Sequence, residues 1–165
     1  MAHIEKTNAI RILDRYKINY KDYYYGDGQA VSGDVIADIL NKDPATVFKT
    51  LVTEGKSNAN YVFVVPVLKE LDLKKAAKAV REKSIAMIKQ KELLPKTGYV
   101  HGGCSPIGMK KLFKTYIDCS ALNFENIYFS AGKIGLQIET TLKNLQTIIP
   151  VTPTDITVQK NSPGE

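Results

Sequence analysis

A chain of 165 residues with 44% hydrophobic side chains has the size and apolar content of one globular domain. No stretch approaches the roughly 18 uninterrupted apolar residues of a membrane span, and Met1-Ala2-His3-Ile4-Glu5-Lys6 lacks the apolar run of a secretory signal, so a cytoplasmic protein is expected. The formal net charge of +6 is carried almost wholly by lysine, with Arg11, Arg15 and Arg81 the only arginines; it raises the odds of a polyanionic partner and equally fits a basic protein without one. Two cysteines, Cys104 and Cys119, are too few for a disulfide framework and fit a reduced compartment.

Helices and strands alternate along the chain. Ala9, Ile10, Leu13 and Tyr16 recur at helical spacing over Asn8 to Lys17, behind a cap at Thr7. Tyr20 to Tyr25 is aromatic and extended, and Gly26-Asp27-Gly28 breaks it. Asp34 to Leu40 returns to helical spacing, and Asp43-Pro44 predicts one short helical turn. Val47 to Thr53 and Tyr61 to Pro66 are β-branched or aromatic runs separated by polar turn residues, the pattern of a hairpin. Asp72 caps an amphipathic helix with Leu73, Ala76, Ala77 and Val80 inward and Lys74, Lys75, Lys78 and Arg81 outward. Ser84 to Ile88 reads as a short strand. Gly102-Gly103-Cys104-Ser105-Pro106-Ile107-Gly108 is too rich in glycine and proline for regular structure. Leu112 to Ile117, Ile127 to Ser130 and Leu136 to Thr140 read as strands, and Thr141 opens a helix ending near Thr147. These elements give one α/β (α+β) domain over residues 1–158 with a mixed sheet, followed by a polar, flexible tail over 159–165.

Most catalytic constellations fail on these residues. A hydrolase triad needs a nucleophile beside an oriented base, and His101 with Cys104 offers only a weak loop pair. A structural zinc needs four ligands, whereas His101, Cys104 and Cys119 supply three at poor spacing. The glycines near Met109-Lys110-Lys111 lack the order of a phosphate loop. Two features remain. The Gly102-Gly103 loop is either a structural turn or a place where backbone N–H groups approach a ligand, because glycine removes the side chain from the path. Lys49 stands between Phe48 and Leu51-Val52, where its ammonium must reach solvent or meet an anion.

Four segments in order then carry a resemblance: Val47-Phe48-Lys49-Thr50-Leu51-Val52, Leu73-Lys74-Lys75-Ala76-Ala77-Lys78, Thr97-Gly98-Tyr99 with the Gly102–Gly108 loop, and Ser130-Ala131-Gly132-Lys133. Over about Thr7 to Val158 the chain resembles the YbaK/EbsC family of deacylases, which are related to the editing domain of prolyl-tRNA synthetases. The resemblance implies a mixed, partly closed sheet flanked by helices and no cofactor or metal. It implies trans-acting deacylation of Cys-tRNA(Pro), with Cys-tRNA(Cys) a second substrate, at the 3′ terminal adenosine and its ester. Prolyl-tRNA synthetase is the partner it suggests.

Carried over residue by residue, the resemblance assigns catalysis to Lys49, Gly103 and Tyr25, with Gly103 and neighbouring amides holding an oxyanion. Substrate binding falls to Thr50, Gly102, Ser105, Ser130 and Gln137. The substrate's own thiol would attack its carbonyl, making the reaction lyase-type if it cyclises. Relatives often carry arginine where Ile134 stands and an acidic residue where Gln137 stands. Two other readings follow from the same residues: an Ala-tRNA(Pro) deacylase, and a catalytically silent tRNA-binding partner of a synthetase.

Overall fold

The computed structural model describes residues 6–25 and 31–159. The Gly26-Asp27-Gly28 break and the residues from Lys160 onward lie outside them. Thr7 accepts from the Ile10 N–H and caps α1, Asn8–Arg15. This helix stops short of the expected Lys17, which takes a left-handed φ of 55°. β1 covers Lys21–Tyr24, and α2, Gly33–Leu40, is closed by Asn41 in the left-handed region. Asp43 caps the 3-10 turn Pro44–Thr46. β2, Phe48–Gly55, and β3, Asn60–Pro66, form the expected hairpin. Asp72 accepts from the Lys74 and Lys75 amides and caps α3, Leu73–Val80. β4 is Ile85–Met87.

Three elements were not foreseen, among them a 3-10 turn over Cys119–Asn123 capped by Asp118, which accepts from the Ser120 N–H. α4, Gln90–Thr97, contains Pro95 and has only Leu93 and Leu94 as aliphatic residues, so its period is faint. Glu92 reaches back to the Lys89 N–H, and Gly98 in the left-handed region ends the helix. β8, Val151–Thr154, carries Pro153, which an edge strand tolerates. β5 runs over Lys114–Asp118 rather than from Leu112, whose side chain is 70% exposed. β6, Ile127–Lys133, β7, Leu136–Thr140, and α5, Leu142–Ile148 behind its Thr141 cap, complete the set.

The expected single sheet is two. A five-stranded mixed sheet has the order β4-β2-β3-β5-β8, and a three-stranded antiparallel sheet has the order β1-β7-β6. They meet at one parallel bridge between Val47 and Tyr128, so closure is partial. Alternation along β3 sends Val62 and Val64 into the core between the sheets with Phe129 and Ile138, and Phe63 and Val65 against α3. A third cluster of Ile36, Ala37, Val47 and Tyr128 packs α2 onto the bridge.

Candidate functional site: the cleft where the two sheets part

β2 is paired with β3 along its length, but β4 covers its other edge only from Thr53 to Gly55. Val47 O accepts from Val67 N, and Gly55 N donates to Ala59 O, so odd-numbered residues of β2 point their backbone groups at β3. Even-numbered residues point the other way. Ile88 N reaches Val52 O on that side, and the Val47–Tyr128 bridge closes the far end. Thr50 lies between, with no strand opposite. The gap is a cavity of about 410 Å³.

One wall is Phe48, Lys49, Thr50, Leu51 and Val52 of β2; facing it are Ser130 of β6 and Gln137 of β7, directly opposite one another in register. Ser32, Gly33 and Ile36 enter from α2, Gln90 and Leu93 from α4, and His101, Gly102 and Cys104 from the glycine loop. The α2 and α4 walls were missed by sequence reasoning; only the weak helical period of Leu93 could have signalled the latter.

The electrostatics are those of a site built for a polar ligand. Lys49 is half-buried, and burial lowers its pKa, with the Glu70 carboxylate opposing from a distance. It forms no ion pair with any described residue. Thr50 Oγ1 and Gln137 Oε1 are buried without hydrogen-bond partners among the described residues, although Gln137 is only 4% exposed. Such orphans are rare, because each forfeits the bond water would have made. Ser130 Oγ accepts from Gly132 N at 3.1 Å.

The remaining sequence candidates are placed differently. Gly102 adopts a φ of 88° and borders the cavity. Gly103 does not border it: its N–H donates to Val100 O at 3.0 Å, and a Cβ there would lie 2.9 Å from Ile134 N. The second glycine therefore lets the loop pack on the Lys133–Ile134 turn. Ser105 is fully buried, and its Oγ accepts from Ile107 N at 3.2 Å, away from the cavity. Tyr25 stands behind the wall, with its N–H on Gly135 O at 2.8 Å and its hydroxyl receiving a bond from Gln137. Burial is the main cause that raises its pKa. Burial also pushes the Cys104 thiol up to about 12, so it stays protonated at neutral pH. Among the described residues no three His, Cys, Asp or Glu side chains gather as a metal site, and no helix is long and apolar enough to cross a membrane.

The described residues thus make a small α/β domain whose two sheets part around a cleft lined by a cation and two unpartnered oxygens. The model of the aminoacyl-tRNA editing domain matches residues 29–148. The Enterococcus faecalis protein named "Putative Cys-tRNA(Pro)/Cys-tRNA(Cys) deacylase EbsC" is 45% identical over 136 residues, 82% of this chain and 83% of that one. The chain belongs to the aminoacyl-tRNA editing domain family. A solved "putative trans-editing enzyme for prolyl tRNA synthetase" superposes with a TM-score of 0.81 at 20% identity, covering 94% of this chain and all of that one. A solved hypothetical protein gives 0.84 at 16% identity, with 92% and 100% covered. These two likenesses speak for the fold.

Proposed function

We propose that the protein deacylates mischarged Cys-tRNA(Pro), and Cys-tRNA(Cys) with it, acting in trans in the cytoplasm. The relative of 45% identity bears that activity in its name. The observation that carries the reading is the cleft itself: a half-buried ammonium and two orphaned oxygens around a space of about 410 Å³, within the usual range for a small-molecule site.

The chemistry suits such a site. An aminoacyl ester is already activated, so positioning and oxyanion stabilisation suffice to cleave it. Burial holds Cys104 protonated, and the nucleophile in this reading is the one the family resemblance implies, the substrate's own thiol. Its sulfur bonds to the carbonyl carbon, the ester C–O bond breaks, and the thiol proton ends on the departing 3′ oxygen. The products are tRNA with a free hydroxyl and a cyclic thioester. Lys49 faces the charge developing on the carbonyl oxygen. Gly102 and Cys104 border the cavity, and in this reading their amides take the donor role expected of Gly103, whose N–H is engaged by Val100 O. Gln137 Oε1 and Thr50 Oγ1 accept from the substrate ammonium or ribose hydroxyl, and Ser130 stands across from Gln137. Tyr25 orients Gln137 from behind.

A panel of cysteinyl-, alanyl- and prolyl-tRNA(Pro) tests the assignment. Cysteinyl-tRNA should be cleaved and prolyl-tRNA spared. Preference for the alanyl ester, which has no thiol, removes the substrate-assisted step. No cleavage of any ester at saturating protein leaves a silent binding module. Prolyl-tRNA synthetase is the partner of this reading, and co-sedimentation with it in the presence of tRNA checks that contact.

A further inference from the structure

Between Lys89 and Lys114 the chain carries six lysines, Lys89, Lys91, Lys96, Lys110, Lys111 and Lys114, against one carboxylate, Glu92. Glu92 is turned back onto the Lys89 N–H at 3.0 Å, and none of the six lysines pairs with a described acid. Local contacts link this stretch to the cleft, to β3 and to α1. At one end, Gln90 and Leu93 of α4 border the cleft. In the middle, Lys110 N donates to Thr97 O at 3.0 Å, and its side chain lies over Gly98 toward Pro95 O. Lys96 Nζ reaches Asn60 Oδ1, beside Tyr61, the strand partner of Lys114. At the other end, Lys111 enters a second cavity of about 210 Å³ with Arg15 and Tyr16 of α1.

That second cavity differs in kind from the cleft. Its lining combines the apolar Ile12, Met109 and Phe113 with the cations Arg15 and Lys111. Tyr16, which also lines it, is 48% exposed and stacks on no other ring among the described residues. A row of like charges with no acids repels itself and gains only from a partner that brings anions at regular intervals. An aromatic face beside an apolar lining, at the end of such a row, matches an unstacked base on its phosphate backbone. Arg15 adds the planar fork that suits a phosphate.

We propose that this stretch, from α4 through Lys110 and Lys111 to the cavity lined by Arg15 and Tyr16, is a docking track for the body of the tRNA whose 3′ end occupies the cleft. The lysines follow the phosphodiester backbone, and the cavity receives one unstacked base. The identity of the partner rests on the deacylase reading; the surface does not.

The test uses the full chain and uncharged tRNA(Pro), with affinity followed by fluorescence anisotropy against salt. Arg15→Glu with Lys111→Glu should weaken binding at least tenfold near 0.1 M salt and shallow the log–log salt slope by about two units. Lys74→Glu with Lys78→Glu reverses two exposed charges on α3, across the five-stranded sheet, and should change either quantity little. Tyr16→Ala should weaken binding about tenfold with an unchanged slope, because stacking involves no counterion. If the double variant fails to fold, Lys111→Gln alone should shallow the slope by about one unit. Equal losses in the α1 and α3 pairs, or none in either, overturn the track. A minimal substrate, cysteinyl-adenosine, separates the two readings. The track variants should cleave it at the wild-type rate, and a matching loss there would place these residues in the cleft's chemistry and overturn the track. If the wild-type protein cleaves no ester but its tRNA affinity still depends on Arg15 and Lys111, the deacylase reading falls and the track stands.

Discussion

β3 and β7 are both central strands, and both are buried almost end to end, yet they do opposite work. From Val62 to Val65, β3 presents Val62 and Val64 to one core and Phe63 and Val65 to another, all of them apolar. β7 sends Leu136 and Ile138 into the core but turns Gln137 and Glu139 to the other side, at 4% and 9% exposure. Glu139 is satisfied by the Tyr23 hydroxyl; Gln137 keeps an oxygen without a partner. Burial alone therefore does not separate scaffold from site. An unsatisfied group that also lines a cavity is the sharper sign: Ser120 Oγ is buried and unpartnered too but borders neither cavity, whereas Gln137 and Thr50 line the cleft.

The comparison breaks most easily at its scaffold end. Phe63→Ala should cost about 3–5 kcal/mol of stability in a urea titration, the usual loss for a buried phenylalanine, while the folded fraction keeps its deacylation rate. A matching fall in rate per folded molecule would show that β3 shapes the cleft directly. Lys49→Ala should cost about 2–4 kcal/mol in the single-turnover rate at saturating tRNA, with the melting temperature held. If binding and its salt slope change instead, Lys49 gathers phosphate.

Lys49 also gives the pH profile a sign. Burial lowers its pKa, so the ammonium is present below that lowered value and is lost as pH rises through it. The enzymatic rate, after subtraction of spontaneous ester hydrolysis, should fall earlier on the alkaline side than an ordinary lysine would dictate. Lys49→Arg, which stays charged, should push that limb upward. Gln137→Met sharpens the β7 side. Removing a buried orphan should leave stability within about 1 kcal/mol, or raise it, while the rate drops about tenfold. A large loss of stability would mean that Gln137 serves the fold through Tyr25. The smallest effect is expected at Cys104: alanine there should keep the rate within about tenfold, and its thiol should resist alkylation at neutral pH while the exposed Cys119 reacts.

What the sequence disclosed followed local rules. The β2–β3 hairpin and α3 were legible because a polar turn separates two apolar runs and because Asp72 stands before a clean helical period. α4 was hidden by Pro95 and by a stripe of two leucines, and β8 by its proline. The division into two sheets depends on which strands pair, and a register between β2 and β6 that ends after one bridge leaves no trace in composition. At the site, Lys49 and Thr50 could be named from their own segment. The contrast between Gly102 and Gly103 could not, since it turns on a φ of 88° that aims one amide at Val100. The setting of Ser105 was equally hidden: its hydroxyl closes a local turn with Ile107.

The missing strand opposite Thr50 also makes the cleft its own reporter. The amides of Lys49 and Leu51 point at β3, so their hydrogens are shielded by ladder bonds, whereas that of Thr50 points into the gap. In deuterated water a fast-exchanging position thus sits between two slow ones on the same strand. A ligand that fills the cleft covers the fast one, and the isotope pattern of three consecutive residues records whether the cleft is occupied without any reaction taking place.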